Sequence, residues 1–329
     1  MAKGCAVCRT GSVTCGISFI SGFVFPMRFS ETARGYWLAL LATVLWSTVF
    51  PLVRVLPESL SPVELAFWRW LFTFLCMVPF GLTALKTHWS LVCDNWKWLL
   101  PAGVLGFSAY SILMFEAGHT TDATNMSLIA ATAPVFMAFL ACTFMGERLS
   151  PLQFVGLAVA VTGVVVLVLD GDWRHLADLS FTMGDLWMLV AAFLFAIYSM
   201  LVRRRPAALP QKVFMMAMLV CSVLALSPMM AVSAIRPDYV LPDGMTMLIM
   251  LYIAAIPTLT GYLLWNRSVE YIGAARAGIV YYSIPLFSSL EAVVFLHEQV
   301  SFSQITGGVL IIGGILLSSL NILKTLRRS

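Results

Sequence analysis

A single arginine, Arg69, interrupts the apolar run Phe67-Trp68-Arg69-Trp70 and is the side chain best able to do chemistry inside a hydrophobic phase. At depth in a bilayer a guanidinium costs about 2.5–3.5 kcal/mol on insertion scales, unless it finds a partner or a hydrated path. Three roles are open to it: a structural or gating ion pair, snorkelling toward the headgroups, or contact with a solute. Three carboxylates could answer it, Glu64, Glu116 and Glu291. Glu64 and Arg69 are five positions apart, roughly 140° around a helix, so they do not share a face. Glu116 and Glu291 are therefore the better partners for an ion pair with gating or coupling consequences. A carboxyl buried without a partner can hold a proton near neutral pH, so proton coupling is open to these residues, as is a plain interfacial role.

A second group of residues gathers around two prolines. Pro134 and Pro285 stand midway along apolar runs, where a missing N–H and a clash with the preceding turn open backbone carbonyls. Asn125, Thr132, Tyr281, Tyr282 and Ser283 lie close to them in sequence, and Trp46 heads the polar patch Trp46-Ser47-Thr48 before Pro51 in the first run, opposite Phe195. Aromatic walls with a few polar groups are how small-molecule pockets are built, and hydroxyls with an indole suit a neutral or zwitterionic solute. Neighbours on a helix are about 100° apart, so Tyr281, Tyr282 and Ser283 cannot all face one cavity. The same residues taken singly would serve as helix-packing contacts.

Signatures of catalysis are missing. No HExxH, GxSxG, Walker sequence or GxGxxG occurs, and His88, His119, His175 and His297 fall in loops or at helix ends. Cys5-Ala-Val-Cys8 has CxxC spacing without a second ligand pair. No catalytic residue, metal or cofactor is expected, and the chain is not read as an enzyme.

The elements that must position these residues are membrane helices. The 329 residues are 60% hydrophobic and 11% charged, with mean hydropathy +0.91, against about 25% charged in soluble domains. Apolar runs near the ~20 residues a bilayer requires fall at 36–56, 62–85, 98–117, 121–143, 151–169, 184–203, 211–234, 245–266, 272–296 and 302–323. The chain is also duplicated. Pro134, Phe136, Glu147, Ser150, Gln153, Gly156 and Gly163 recur 151 positions later as Pro285, Phe287, Glu298, Ser301, Gln304, Gly307 and Gly314. Gly35, Ala42, Leu52, Val53, Arg54 and Pro79 recur 149 positions later as Gly184, Ala191, Leu201, Val202, Arg203 and Pro228. Gly156 with Gly163 and Gly307 with Gly314, spaced by seven, read as stripes for close helix packing.

Charge sets the orientation. With the N-terminus in the cytoplasm, 16 basic residues fall on inner segments and only Arg54, Arg174 and Arg236 on outer ones, which predicts cytoplasmic termini. Five spans per repeat then invert the second copy relative to the first. The expected fold is an all-α integral membrane protein of ten transmembrane helices in two inverted five-helix repeats, 35–170 and 184–323. A periplasmic linker, 171–183, joins them, and a basic tail, 324–329, follows. Residues 1–34 form an N-terminal extension whose apolar part is too short to span, and Met27 before RFSETARG is the expected natural start.

Paired prolines, ten spans and the motif Gly146-Glu147-Arg148-Leu149-Ser150, with Leu296-His297-Glu298-Gln299-Val300-Ser301 as its looser partner, resemble the drug/metabolite transporter superfamily with EamA-type repeats. The resemblance covers nearly all of 35–323. It implies alternating access around a central cavity lined by helices one, three, four, six, eight and nine, and movement of a small organic molecule across the inner membrane, more often outward. Helix one carries no acidic residue, unlike the small multidrug-resistance relatives whose first helix holds a coupling glutamate.

The expected function is therefore a secondary transporter of an amino-acid-like or drug-like metabolite, read as an exporter. Uptake of a vitamin- or nucleoside-like solute is the alternative, and a non-transporting sensor or scaffold a distant third. The expected partners are a small-molecule substrate and membrane lipid, with no nucleic acid, in a monomer or homodimer.

Overall fold

A computed structural model describes residues 30–49, 52, 56, 60–120, 129–146, 149–168, 182–237, 239–296 and 302–326. All regular structure among them is helical. The predicted extension before Ser30, Asn125, the Glu147-Arg148 pair, most of the 171–183 linker and the end of the basic tail lie outside the described residues.

Helix α1 spans Glu31–Ser47, its first turn capped by the Ser30 hydroxyl, which accepts from the Ala33 N–H. Helix α2, Pro62–Thr87, opens on a capping box: the Ser61 hydroxyl accepts from the Glu64 N–H, and the Glu64 carboxylate accepts from the Ser61 N–H. A short α3, Trp89–Asp94, leads to α4, Trp96–Gly103. A π-helical stretch, Val104–Ala109, then joins α4 to α5, Tyr110–Thr120, in one rod. Next come α6, Ala133–Met145, and α7, Pro151–Val168.

In the second part of the chain, α8 is Met183–Arg203, with a Thr182/Asp185 capping box, and α9 is Gln211–Ala234. Helix α10, Gly244–Ile253, passes through a second π-helical stretch, Ala254–Thr260, into α11, Gly261–Ile272. Helices α12, Ala274–Tyr281, and α13, Ser283–Leu296, precede the last, α14, Phe302–Leu326.

Among the described residues, five stretches are long and apolar enough to cross a bilayer: Pro62–Thr87, Trp96–Gly118, Met183–Arg203, Gln211–Ala234 and Gly244–Ile272. The run expected as one span over 272–296 is two helices. Gly273, at φ 84°, starts the first, and the turn at Tyr282 divides it from the second. The physical reason is Pro285, whose missing N–H leaves the Tyr281 carbonyl without its i+4 donor. A matching turn at 131–132 comes just before Pro134, which falls in the first turn of α6. Gly146, at φ 65°, ends α6 in the left-handed region that favours glycine.

Packing is antiparallel at the close contacts. A Cβ on Gly156 of α7 would lie 2.6 Å from the Gly314 carbonyl of α14, and one on Gly163 would lie 2.8 Å from the Gly307 carbonyl. Along α2 and α9, Gly81 faces Met216 while Glu64 meets Ser233. The main buried core joins residues of α1, α2, α8, α9 and α11 around a dense set of aromatic rings.

Candidate functional site

Arg69 and Trp70 sit side by side on α2, and each is held by one of the two π-helical stretches. Arg69 Nε donates to Thr258 Oγ1 at 2.9 Å, and Trp70 Nε1 donates to the Phe107 carbonyl at 3.0 Å and to Ser111 Oγ at 2.9 Å. Locally widened turns of this kind occur often at functional sites, because they re-aim side chains and carbonyls that a regular helix would direct elsewhere. The first stretch also hydrogen bonds to α9, through Ser108 and Ser222 at 2.7 Å.

From Trp70 the rings run in a connected series. The Trp70 indole stacks on Phe107 with centroids 4.1 Å apart and planes 5° apart. Tyr262 stands edge-on to both, at 5.5 and 4.9 Å. Trp46 of α1 lies 5.3 Å from Tyr262, 5.3 Å from Trp265 and 5.6 Å from Phe195. Tyr281 closes the set, 6.1 Å from Trp46 and 5.4 Å from Phe195, and Tyr110 packs on the same Phe195 ring at 5.6 Å. Edge-to-face pairs of this kind add about 0.5–1.5 kcal/mol each beyond the area they bury. Gly261 makes room for the Trp46 indole, since a Cβ there would lie 2.6 Å from Nε1.

Two donors inside this set have no partner among the described residues, Trp46 Nε1 and Asn266 Nδ2, although Asn266 Oδ1 accepts from the Tyr198 hydroxyl at 2.6 Å. Arg69 is 4% exposed and lies within electrostatic reach of the Tyr110 and Tyr262 phenols. Among the described residues no carboxylate is within ion-pair distance of its guanidinium.

The three carboxylates read as its partners are placed elsewhere. Glu64 accepts from Arg236 Nη2 at 3.0 Å and from Ser233 Oγ at 2.5 Å, tying the start of α2 to the end of α9. It points away from Arg69 because it also serves the cap of its own helix. Glu116 is exposed. Glu291 accepts from Ser47 Oγ at 2.7 Å, and its other oxygen is buried without a partner among the described residues.

The residues near the prolines also separate. Tyr281 joins the aromatic set, whereas Tyr282, fully buried, packs with Ala160, Val164 and Ile311 of α7 and α14. Ser283 Oγ meets Thr43 Oγ1 of α1 at 2.9 Å. Thr132 turns its hydroxyl back onto the Ile129 carbonyl at 2.6 Å, and Pro134 is buried against Gly278 of α12.

At the opposite end from Glu64, Arg205 Nη2 pairs with Glu270 Oε1 at 2.6 Å, and Arg267 Nη1 meets Glu270 Oε2 at 2.8 Å. Arg205 lies beyond α8; burial pulls its guanidinium below its ordinary value, and the Glu270 charge opposes that shift. Arg204 donates to the Phe144 carbonyl of α6.

Sequence reasoning named Trp46, Arg69 and Tyr281 but not Thr258, Tyr262, Trp265 or Asn266. A signal existed in the spacing of Phe195 with Tyr198 and Tyr262 with Trp265, which puts two rings on one helix face.

Residues 33–169 and 182–320 each match the EamA-like transporter family model. An "Uncharacterized transporter" from Archaeoglobus fulgidus is 24% identical over 87% of this chain and 98% of its own length. A "Probable terminal-alkyne amino-acid exporter" from Streptantibioticus cattleyicolor is 25% identical over 87% of this chain and 94% of its own. A "Probable amino-acid metabolite efflux pump" from Escherichia coli is 25% identical over 85% and 93%. A solved structure described as "Crystal structure of protein" has TM-score 0.73 at 20% identity, covering 89% of this chain and 99% of its own.

Proposed function

The chain belongs to the EamA-like transporter family and is a multi-pass membrane transporter, and on that premise we propose that it exports small amino-acid-like metabolites across the cytoplasmic membrane by alternating access. Two full-length relatives are named as an amino-acid exporter and an amino-acid metabolite efflux pump, which favours both the direction and the solute class. The observation that carries the site is the aromatic set itself. Trp46, Trp70 and Phe107 come from the first matched segment, and Phe195, Tyr262, Trp265 and Tyr281 from the second, so the rings meet where the halves meet. Carriers built from internal repeats hold their solute at such a seam.

In this reading ten helices form two inverted repeats, 35–170 and 184–323, with both termini in the cytoplasm and basic residues concentrated on the inner side. The glycine contacts support it. Gly156 meets Gly314 while Gly163 meets Gly307, so each residue touches the repeat equivalent of the other, as a two-fold axis relating oppositely oriented halves requires.

The test is metabolite profiling of medium and cytosol from cells carrying the intact protein or an empty vector. Amino-acid-like compounds enriched in the medium only with the intact protein are the expected result. Accumulation inside the cell would reverse the direction, and an unchanged profile would overturn the reading.

A further inference from the structure

Resting on that reading, we infer that Arg69 binds the carboxylate of the transported solute, so that the substrates are small carboxylates with an apolar or aromatic body. The guanidinium is nearly fully buried and is fixed at Nε by Thr258, while Nη1 and Nη2 make no hydrogen bond to a described residue. An arginine held this way presents a rigid planar fork that matches the two oxygens of a carboxylate. Among the described residues the chain's own carboxylates do not fill that place: Glu64 is engaged by Arg236 and Ser233, Glu291 by Ser47, and Glu116 is exposed.

What surrounds the fork suits the rest of such a solute. The ring series begins one residue away at Trp70, and Tyr262 belongs both to that series and to the electrostatic surroundings of Arg69. Trp46 Nε1 and Asn266 Nδ2, which have no partner among the described residues, can serve acceptor atoms of a bound molecule. The position equivalent to Arg69 in the second repeat is Met218, which is completely buried. Helix packing at this place is thus met by an uncharged side chain, and the charge is carried once, as a single anionic group requires. A like charge on the solute would be repelled, so cationic amines lacking a carboxylate are disfavoured.

The test uses the full chain purified in detergent and titrated at neutral pH with 3-phenylpropanoate, L-phenylalanine and L-phenylalaninamide, read by tryptophan fluorescence and by thermal unfolding. Both acids should bind, and the amide at least about tenfold more weakly, the scale of one charge-assisted hydrogen bond. Arg69→Met, which installs the residue found in the other repeat, should weaken the acids at least about tenfold and bind the amide at least as well as the intact protein does, because the repelling charge is gone, with Arg69→Lys between the two. Thr258→Val keeps the charge and frees only Nε; it should weaken the acids by about threefold and serves as the readout if Arg69→Met does not fold. Equal binding of acid and amide, acid binding unaffected in a folded Arg69→Met protein, or no binding of either acid to the intact protein would each overturn the assignment. The exporter reading is decided separately by the medium profile: exported compounds without a carboxylate would leave that reading intact and sink this one.

Discussion

Glu64 and Arg236 form the one ion pair among the described residues that joins the two matched segments, and its two members are unequal. Glu64 is 3% exposed and holds the Ser61 cap, Ser233 and Arg236 together, whereas the Arg236 side chain is 46% exposed and can turn to water. Glu64→Ala should therefore cost about 2–3 kcal/mol, from a lost cap and lost bonds to a charged group. Arg236→Ala should cost under about 1 kcal/mol, as exposed partners do. Unfolding of the two variants in detergent checks this, and equal losses would contradict the asymmetry. At this scale the sequence marks Arg69 clearly, because a lone charge in an apolar run needs a partner, a path or a reach to the headgroups. It does not mark Thr258, whose importance comes from the turn that delivers it to Arg69. Nor does it separate Tyr281 from Tyr282. Both are aromatic and adjacent, and only the helix break between them sends one to the ring set and the other to α7 and α14.

Among the elements, the irregular turns matter more than the regular ones. The π-helical stretches begin at Val104 and Ala254, 150 positions apart, and the breaks before Pro134 and Pro285 are similarly paired. The prolines made the breaks legible in advance, since each removes a backbone donor at a fixed place. The π-helical stretches were not legible, because an i→i+5 turn leaves no composition of its own. The glycine stripes were legible as packing surfaces, and the contacts give them a quantitative consequence. A Cβ on Gly314 would stand 2.6 Å from both the Gly156 carbonyl and the Ala160 nitrogen, backbone atoms that cannot swing aside, whereas Gly313 beside it has nothing within 4 Å. Gly314→Ala should cost about 1–3 kcal/mol by overpacking the α7–α14 contact. Gly313→Ala should be neutral or stabilise by up to about 1 kcal/mol through helix propensity. Detergent unfolding of these neighbours separates the two effects, and a similar loss at both positions would mean that the close approach of α7 and α14 is not what the glycines serve.

For the molecule as a whole, the proposed inverted arrangement makes a prediction that no single residue or helix does: positions related by the repeat offset must face opposite sides of the membrane. Lys86 at the end of α2 and Ile235 at the end of α9 are 149 positions apart, and both are exposed. In the proposed orientation, which keeps most lysines and arginines on the inner face, Lys86 lies in the cytoplasm and the neighbour of Ile235, Arg236, is one of the few basic residues outside. In a cysteine-free background, Lys86→Cys should react with a membrane-impermeant maleimide only in inverted vesicles. Ile235→Cys should react only from the outer face, in cells whose outer barrier, where one exists, has been permeabilised. Reaction of both from one side would remove the two-fold relation between the halves. The reciprocal glycine contacts of α7 and α14 would then need another origin, and the rings of Trp46 and Tyr281 would no longer stand at a seam that rocking halves could open to each side in turn.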